Sequence, residues 1–154
     1  MTRPRKDWRH QARAAALQIL YQWEVGRTDV TSAAETFFGL QWPDREPPSD
    51  EMQAFAAALA HDTVRRLADA DAMIAETAER WRPERMAVID RLILRMAIAE
   101  MMRADQVAPD AVPAAVIINE ALELARTFST EDAVKFINGM LDAVRKKIEG
   151  SPGR

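Results

Sequence analysis

The stretch MAVIDRLILRMAIAEMMR, residues 86–103, decides the fold. Val88, Ile89, Leu92, Ile93, Leu94, Met96, Ala97, Ile98 and Met101 place apolar side chains on nearly every side of a helical turn. A helix that is apolar all round must be surrounded by other elements, so the segment predicts a central helix that is the spine of the fold. Asp90, Arg91, Arg95 and Glu100 interrupt it. Since a spanning helix needs about 20 predominantly apolar residues, it is not read as a membrane span.

On both sides of this spine, every flanking segment also carries helical periodicity. Trp8, Ala12, Ala15, Ala16, Ile19, Leu20 and Trp23 form one face of a first helix that stops near Gly26, with Arg9 and Arg13 one turn apart and off that stripe. Asp29 can cap a second short helix bearing Val30, Ala33, Ala34, Phe37 and Phe38 before Gly39. Pro43, Pro47 and Pro48 make residues 42–49 a loop, and Ser49 opens a third helix with Met52, Phe55, Ala56, Leu59, Thr63 and Leu67. A break around Ala68 to Asp71 leads to a fourth, with Met73, Ile74, Thr77 and Trp81, that Pro83 ends.

Beyond the spine, Pro109 and Pro113 bracket a loop, and Ile117, Ala121, Leu124, Ala125 and Phe128 mark a sixth helix. Ser129 with Asp132 three residues on resembles a capping box for the seventh, whose core face is Ala133, Phe136 or Ile137, Met140, Leu141, Val144 and Ile148. Gly139 falls inside that helix at a cost of about 1 kcal/mol relative to alanine. Tight helix-on-helix packing is the expected reason, and contact with a partner the other. No strand pattern or internal repeat competes, so the fold class is all-α.

Composition bounds the function. The 154 residues fit one domain, with a flexible basic arm over 1–8 and a tail over 149–154. There is no cysteine, which excludes disulfides, thiolate metal sites and cysteine nucleophiles and fits a reducing cytoplasm. The charged N-terminus has no apolar run of a secretory signal behind it. Net charge is only −3, but residues 1–13 carry +4 and residues 143–154 carry +3, which leaves −10 between them. Basic ends on an acidic body suggest a local anionic contact and a separate surface for a cationic partner.

The chemistry-bearing residues are sparse. His10 and His61 have no companion at metal-ligand spacing, and the five glycines never cluster into a phosphate loop. No metal, cofactor or catalytic residue is expected, and the carboxylates read as solvated helix faces. The constellation with chemical content is basic: Arg5, Lys6, Arg9 and Arg13 lead into the first helix, and Lys135 sits beside Phe136 early in the last. Arginine can clamp phosphates bidentately and an aromatic face can stack an unpaired base, which are the parts needed for single-stranded RNA. A solubilising arm and a core position for Phe136 are the alternatives these residues leave open.

Four blocks, in order, resemble the transcription antitermination factor NusB family. They are Arg9-His10-Gln11-Ala12-Arg13 with Ala16 to Glu24, then Asp90 to Ala97, then Val112-Pro113 with Val116 to Ala125, and most specifically Glu131-Asp132-Ala133-Val134-Lys135-Phe136-Ile137-Asn138-Gly139-Met140-Leu141-Asp142. The likeness runs from about residue 9 to 147. His10 and Gln11 stand where the family often has arginine, Ser129 where glycine is frequent and Val134 where histidine is frequent. Residues 104–112 are slightly longer than usual.

The resemblance implies seven helices in two perpendicular subdomains within one domain, and a non-enzymatic role. It implies that Arg9, Arg13, Asp132, Lys135 and Phe136 face RNA, and that Tyr21, Glu84 and Asp90 face NusE, a small-subunit ribosomal protein. The joint target would be the boxA element of ribosomal RNA leader transcripts, bound so that RNA polymerase stays processive within an antitermination complex. Two other roles fit a NusB-like chain: a homodimeric storage form, and an accessory domain of an RNA-modifying system.

Overall fold

The computed structural model describes residues 5–40, 46–78, 83–106 and 112–150. Arg3, the side chains of Arg5 and Lys6, Trp42, Trp81, the stretch 107–111 and the tail beyond Gly150 lie outside the described residues. Among those described there are seven α-helices, one 3-10 turn and no strand, and the chain divides into two compact units, Met1–Val64 and Arg65–Arg154.

The first unit is built from α1 (Arg5–Gly26), α2 (Val30–Leu40) and α3 (Asp50–Arg65). Its α1 packs on α2, and the buried side chains are mainly small: Ala12, Ala15, Ala16, Ala33, Ala34, Ala56 and Ala60, with Leu17, Ile19, Leu20, Met52 and Leu59 supplying bulk. Both expected caps are in place. The Asp29 carboxylate accepts from the Ser32 amide at 3.0 Å and from its hydroxyl at 2.8 Å, and the Ser49 hydroxyl accepts from the Met52 amide at 3.1 Å. The hydrogen bond donated by the Ser32 amide, followed by that from its hydroxyl, lowers the pKa of the Asp29 carboxyl below its ordinary 3.8. Helix α1 stops at Gly26, where the sequence places its end. Gly26 remains helical, and Arg27, with φ 54°, takes the left-handed position that usually falls to glycine.

The boundary between α3 and α4 (Leu67–Thr77) is displaced from Ala68–Asp71. It lies at Arg66, whose φ of −99° and ψ of 14° leave the helical region for one residue. Thr63 turns its hydroxyl back onto the Leu59 carbonyl at 2.8 Å, a bond that bends a helix, whereas Ala68 and Ala70 are strong helix formers and Ala70 is buried. Helix α4 then ends at Thr77, one turn short of Trp81, with Ala78 extended.

In the second unit α4, α6 (Ala114–Phe128) and α7 (Glu131–Glu149) pack on α5 (Val88–Gln106), while α6 and α4 also contact α7. Every residue of α5 from 92 to 99 is buried, as the all-round apolar pattern requires. Arg95 belongs to that run. Its guanidinium forks onto Asp71 of α4, with Nε 2.8 Å from Oδ1 and one terminal nitrogen 2.9 Å from Oδ2, so the buried charge is paired bidentately. Lys147, near the end of α7, donates to the Glu76 carbonyl at the end of α4, a cation on orphan helix carbonyls. Phe128 belongs to α6, as its spacing predicts, but it is exposed. It is the last residue of α6, and there it keeps the periodicity but outruns the buried stripe of Ile117, Ile118, Ala121, Leu124 and Ala125.

Candidate functional site

In the first unit the candidate cations lie on the N-terminal half of α1. Arg9 is exposed, and its guanidinium carbon stands 5.6 Å from the Trp8 ring centroid and 5.9 Å from that of Phe55 on α3. Arg13 differs from the expectation that both arginines lie off the apolar stripe. It is 3% exposed, with its guanidinium carbon 5.4 Å from the Phe55 ring. Trp8 and Phe55 meet edge to face at 5.6 Å, so two arginines and two rings form one cluster. Tyr21, further along α1, is 38% exposed.

In the second unit the candidates lie at the start of α7. The predicted capping box does not form: the N-cap is Thr130, whose hydroxyl accepts from the Ala133 amide at 3.1 Å. The Ser129 hydroxyl is used elsewhere, donating to the Asp90 carboxylate of α5. This start sets the phase of α7. Ala133, Val134, Ile137, Met140, Leu141 and Val144 turn inward, while Asp132, Lys135 and Phe136 turn to solvent. The choice between Phe136 and Ile137 is thereby resolved, since Ile137 is wholly buried and Phe136 is 44% exposed. An exposed aromatic ring beside an exposed lysine and a carboxylate can stack a base, neutralise a phosphate and accept from an exocyclic amine.

Gly139 lies one turn beyond Phe136 and is exposed. A Cβ there would meet nothing within 4 Å, so tight packing, the expected reason for this glycine, is not its reason. Glu84 is exposed in the 3-10 turn Pro83–Arg85, and Asp90 is half-buried in the first turn of α5. Among the described residues no group of three histidine, cysteine or carboxylate side chains could hold a metal ion, and no helix is long and apolar enough to cross a membrane.

Residues 10–146 match the model of the NusB family. The chain belongs to that family. It is 44% identical to the transcription antitermination protein NusB of Solibacter usitatus, over 91% of this chain and 90% of that protein. Among solved structures, T. maritima NusB shares 28% identity with a TM-score of 0.76, covering 96% of this chain and 94% of that one. A structure of the antitermination factors NusB and NusE in complex with double-stranded RNA superposes with a TM-score of 0.75 over 91% of this chain and 97% of that one. At 21% identity it speaks for the fold alone.

In this NusB family chain Val134 is buried and adds to the core of α7. Ser129 ties the segment before α7 to α5. Sequence reasoning passed over Phe55 as a core residue of α3. The only signal that could have singled it out is its half-exposed ring beside two arginines, and that needs the packing of α3 near α1.

Proposed function

We propose that this chain is an RNA-binding transcription antitermination factor that acts as an adaptor, without catalysis of its own, in the cytoplasm. The observation that carries the reading is the outward face of α7, where Asp132, Lys135 and Phe136 stand together in solvent while their neighbour Ile137 fills the core. An exposed phenylalanine beside a lysine is poor design for a purely structural helix and good design for an unpaired base and its phosphate. Family membership and the names of the relatives support the same reading.

In this reading the RNA is a boxA-type single strand of ribosomal leader transcripts, and Arg9 and Arg13 are its further contacts. NusE is the protein partner, Tyr21, Glu84 and Asp90 face it, and the whole chain acts as one domain within the antitermination complex of RNA polymerase. A strongly acidic central body suits a basic ribosomal protein, since complementary charge raises the encounter rate and fixes register. The test is a gel-shift titration of a boxA RNA with and without NusE. Lys135→Glu is expected to weaken RNA binding about tenfold or more, equivalent to about 1.4 kcal/mol, and to leave NusE binding intact. Wild-type affinity of that variant, or affinity that does not fall as salt rises, rejects the reading.

A further inference from the structure

We propose that Phe55 of α3 is a positioning residue for RNA binding: its ring, together with Trp8, holds the Arg9 guanidinium in place for phosphate contact. This inference rests on the reading of α1 as an RNA-facing helix. The geometry is a cluster in which the Trp8 and Phe55 rings meet edge to face at 5.6 Å and the Arg9 guanidinium carbon lies within 6 Å of both centroids, at 5.6 Å and 5.9 Å. Arg13 lies 5.4 Å from the same Phe55 ring and is buried.

The chemistry of the holding group matters. A long arginine side chain in water samples many rotamers, and fixing it at the moment of docking weakens binding. A carboxylate would fix it by occupying its N–H donors and cancelling its charge. An aromatic ring attracts the guanidinium through its quadrupole, leaves the charge whole and takes none of the N–H donors. Arg9 is exposed, so its donors remain accessible from solvent. A helix face bearing rings next to arginine is therefore better prepared for a phosphate than one bearing acids. Phe55 itself need not touch RNA.

The experiment measures fluorescence anisotropy of a labelled single-stranded boxA RNA, with NusE present, across a salt series. Phe55→Met keeps bulk without a π face and is expected to bind about three- to tenfold more weakly at low salt. Its plot of log affinity against log salt should flatten by up to about 0.7, the increment of one phosphate contact on a single strand. Phe55→Tyr retains a ring and is expected to restore both values. Trifluorophenylalanine at position 55 preserves shape but drains the ring face, and should weaken binding even if Phe55→Met proves too unstable to measure. Wild-type affinity and slope for the fluorinated protein, beside an Arg9→Glu variant that has lost affinity, overturn the inference alone. If Arg9→Glu also binds as wild type, the RNA-facing reading of α1 falls and the inference falls with it.

Discussion

The N-terminal halves of α1 and α7 each bring basic and aromatic side chains to one helix, yet they do so in opposite ways. On α1 both cations lie against an aromatic ring: Arg9 and Arg13 both face Phe55, Arg9 exposed and Arg13 almost wholly buried. On α7 the cation and the ring are both displayed, with Lys135 and Phe136 in solvent and no ion pair to Lys135 among the described residues. The same residue types are thus partly packed in one helix and fully displayed in the other. A substitution on α1 should therefore register in stability, while its counterpart on α7 should register in binding.

The strongest test of that contrast is charge reversal. Arg13→Glu is expected to destabilise the protein by about 3 kcal/mol or more in urea unfolding, because it reverses the charge at a buried position packed around a guanidinium. Lys135→Glu should change stability by no more than about 0.5 kcal/mol, as an exposed substitution does. Equal stabilities for the two variants would erase the difference between the helices.

A smaller but sharper comparison lies within α7, between adjacent residues. Ile137→Ala should cost about 2–4 kcal/mol through lost burial and the cavity left behind. Phe136→Ala should leave stability within about 0.5 kcal/mol while lowering RNA affinity by about 1–3 kcal/mol, the range for one stacked base. If calorimetry finds Phe136→Ala the more damaging of the two to the fold, the phase assigned to α7 is wrong.

These pairs also mark what could be read from the sequence. Residues 86–103 announced a surrounded helix because apolar side chains on every face admit only one environment, and caps such as Asp29 and Ser49 were legible because their partners lie three residues away. Phe136 and Ile137 were ambiguous because neighbours on a helix differ by about a quarter turn and both sat at the edge of the stripe. The burial of Arg13 was out of reach: it depends on a ring from α3, and nothing local to α1 encodes it. Ser129 misled for a similar reason, since its hydroxyl is claimed by Asp90 of another helix, leaving Thr130 to cap. Of the site, side-chain chemistry could nominate Arg9, Lys135 and Phe136, but only packing could assign their different surroundings.

The smallest expected effect concerns Gly139, where the display on α7 includes a bare patch of backbone. Gly139→Ala should raise stability by up to about 1 kcal/mol, since the added methyl meets nothing and the helix gains propensity. In a thermal melt this would appear as an increase of about 2–4 °C. A loss of stability instead would mean that this face of α7 is covered.

The bond from Ser129 to Asp90 bears on how fast and how cleanly such a display can work. The residue before the Thr130 cap is anchored to the spine, so the opening turn of α7 is set when α5 packs and has little freedom to fray afterwards. In the proposed role, a nucleotide arriving at Phe136 would meet a surface already in shape. Its residence time would be governed by how readily the base unstacks, rather than by how often the helix end melts beneath it.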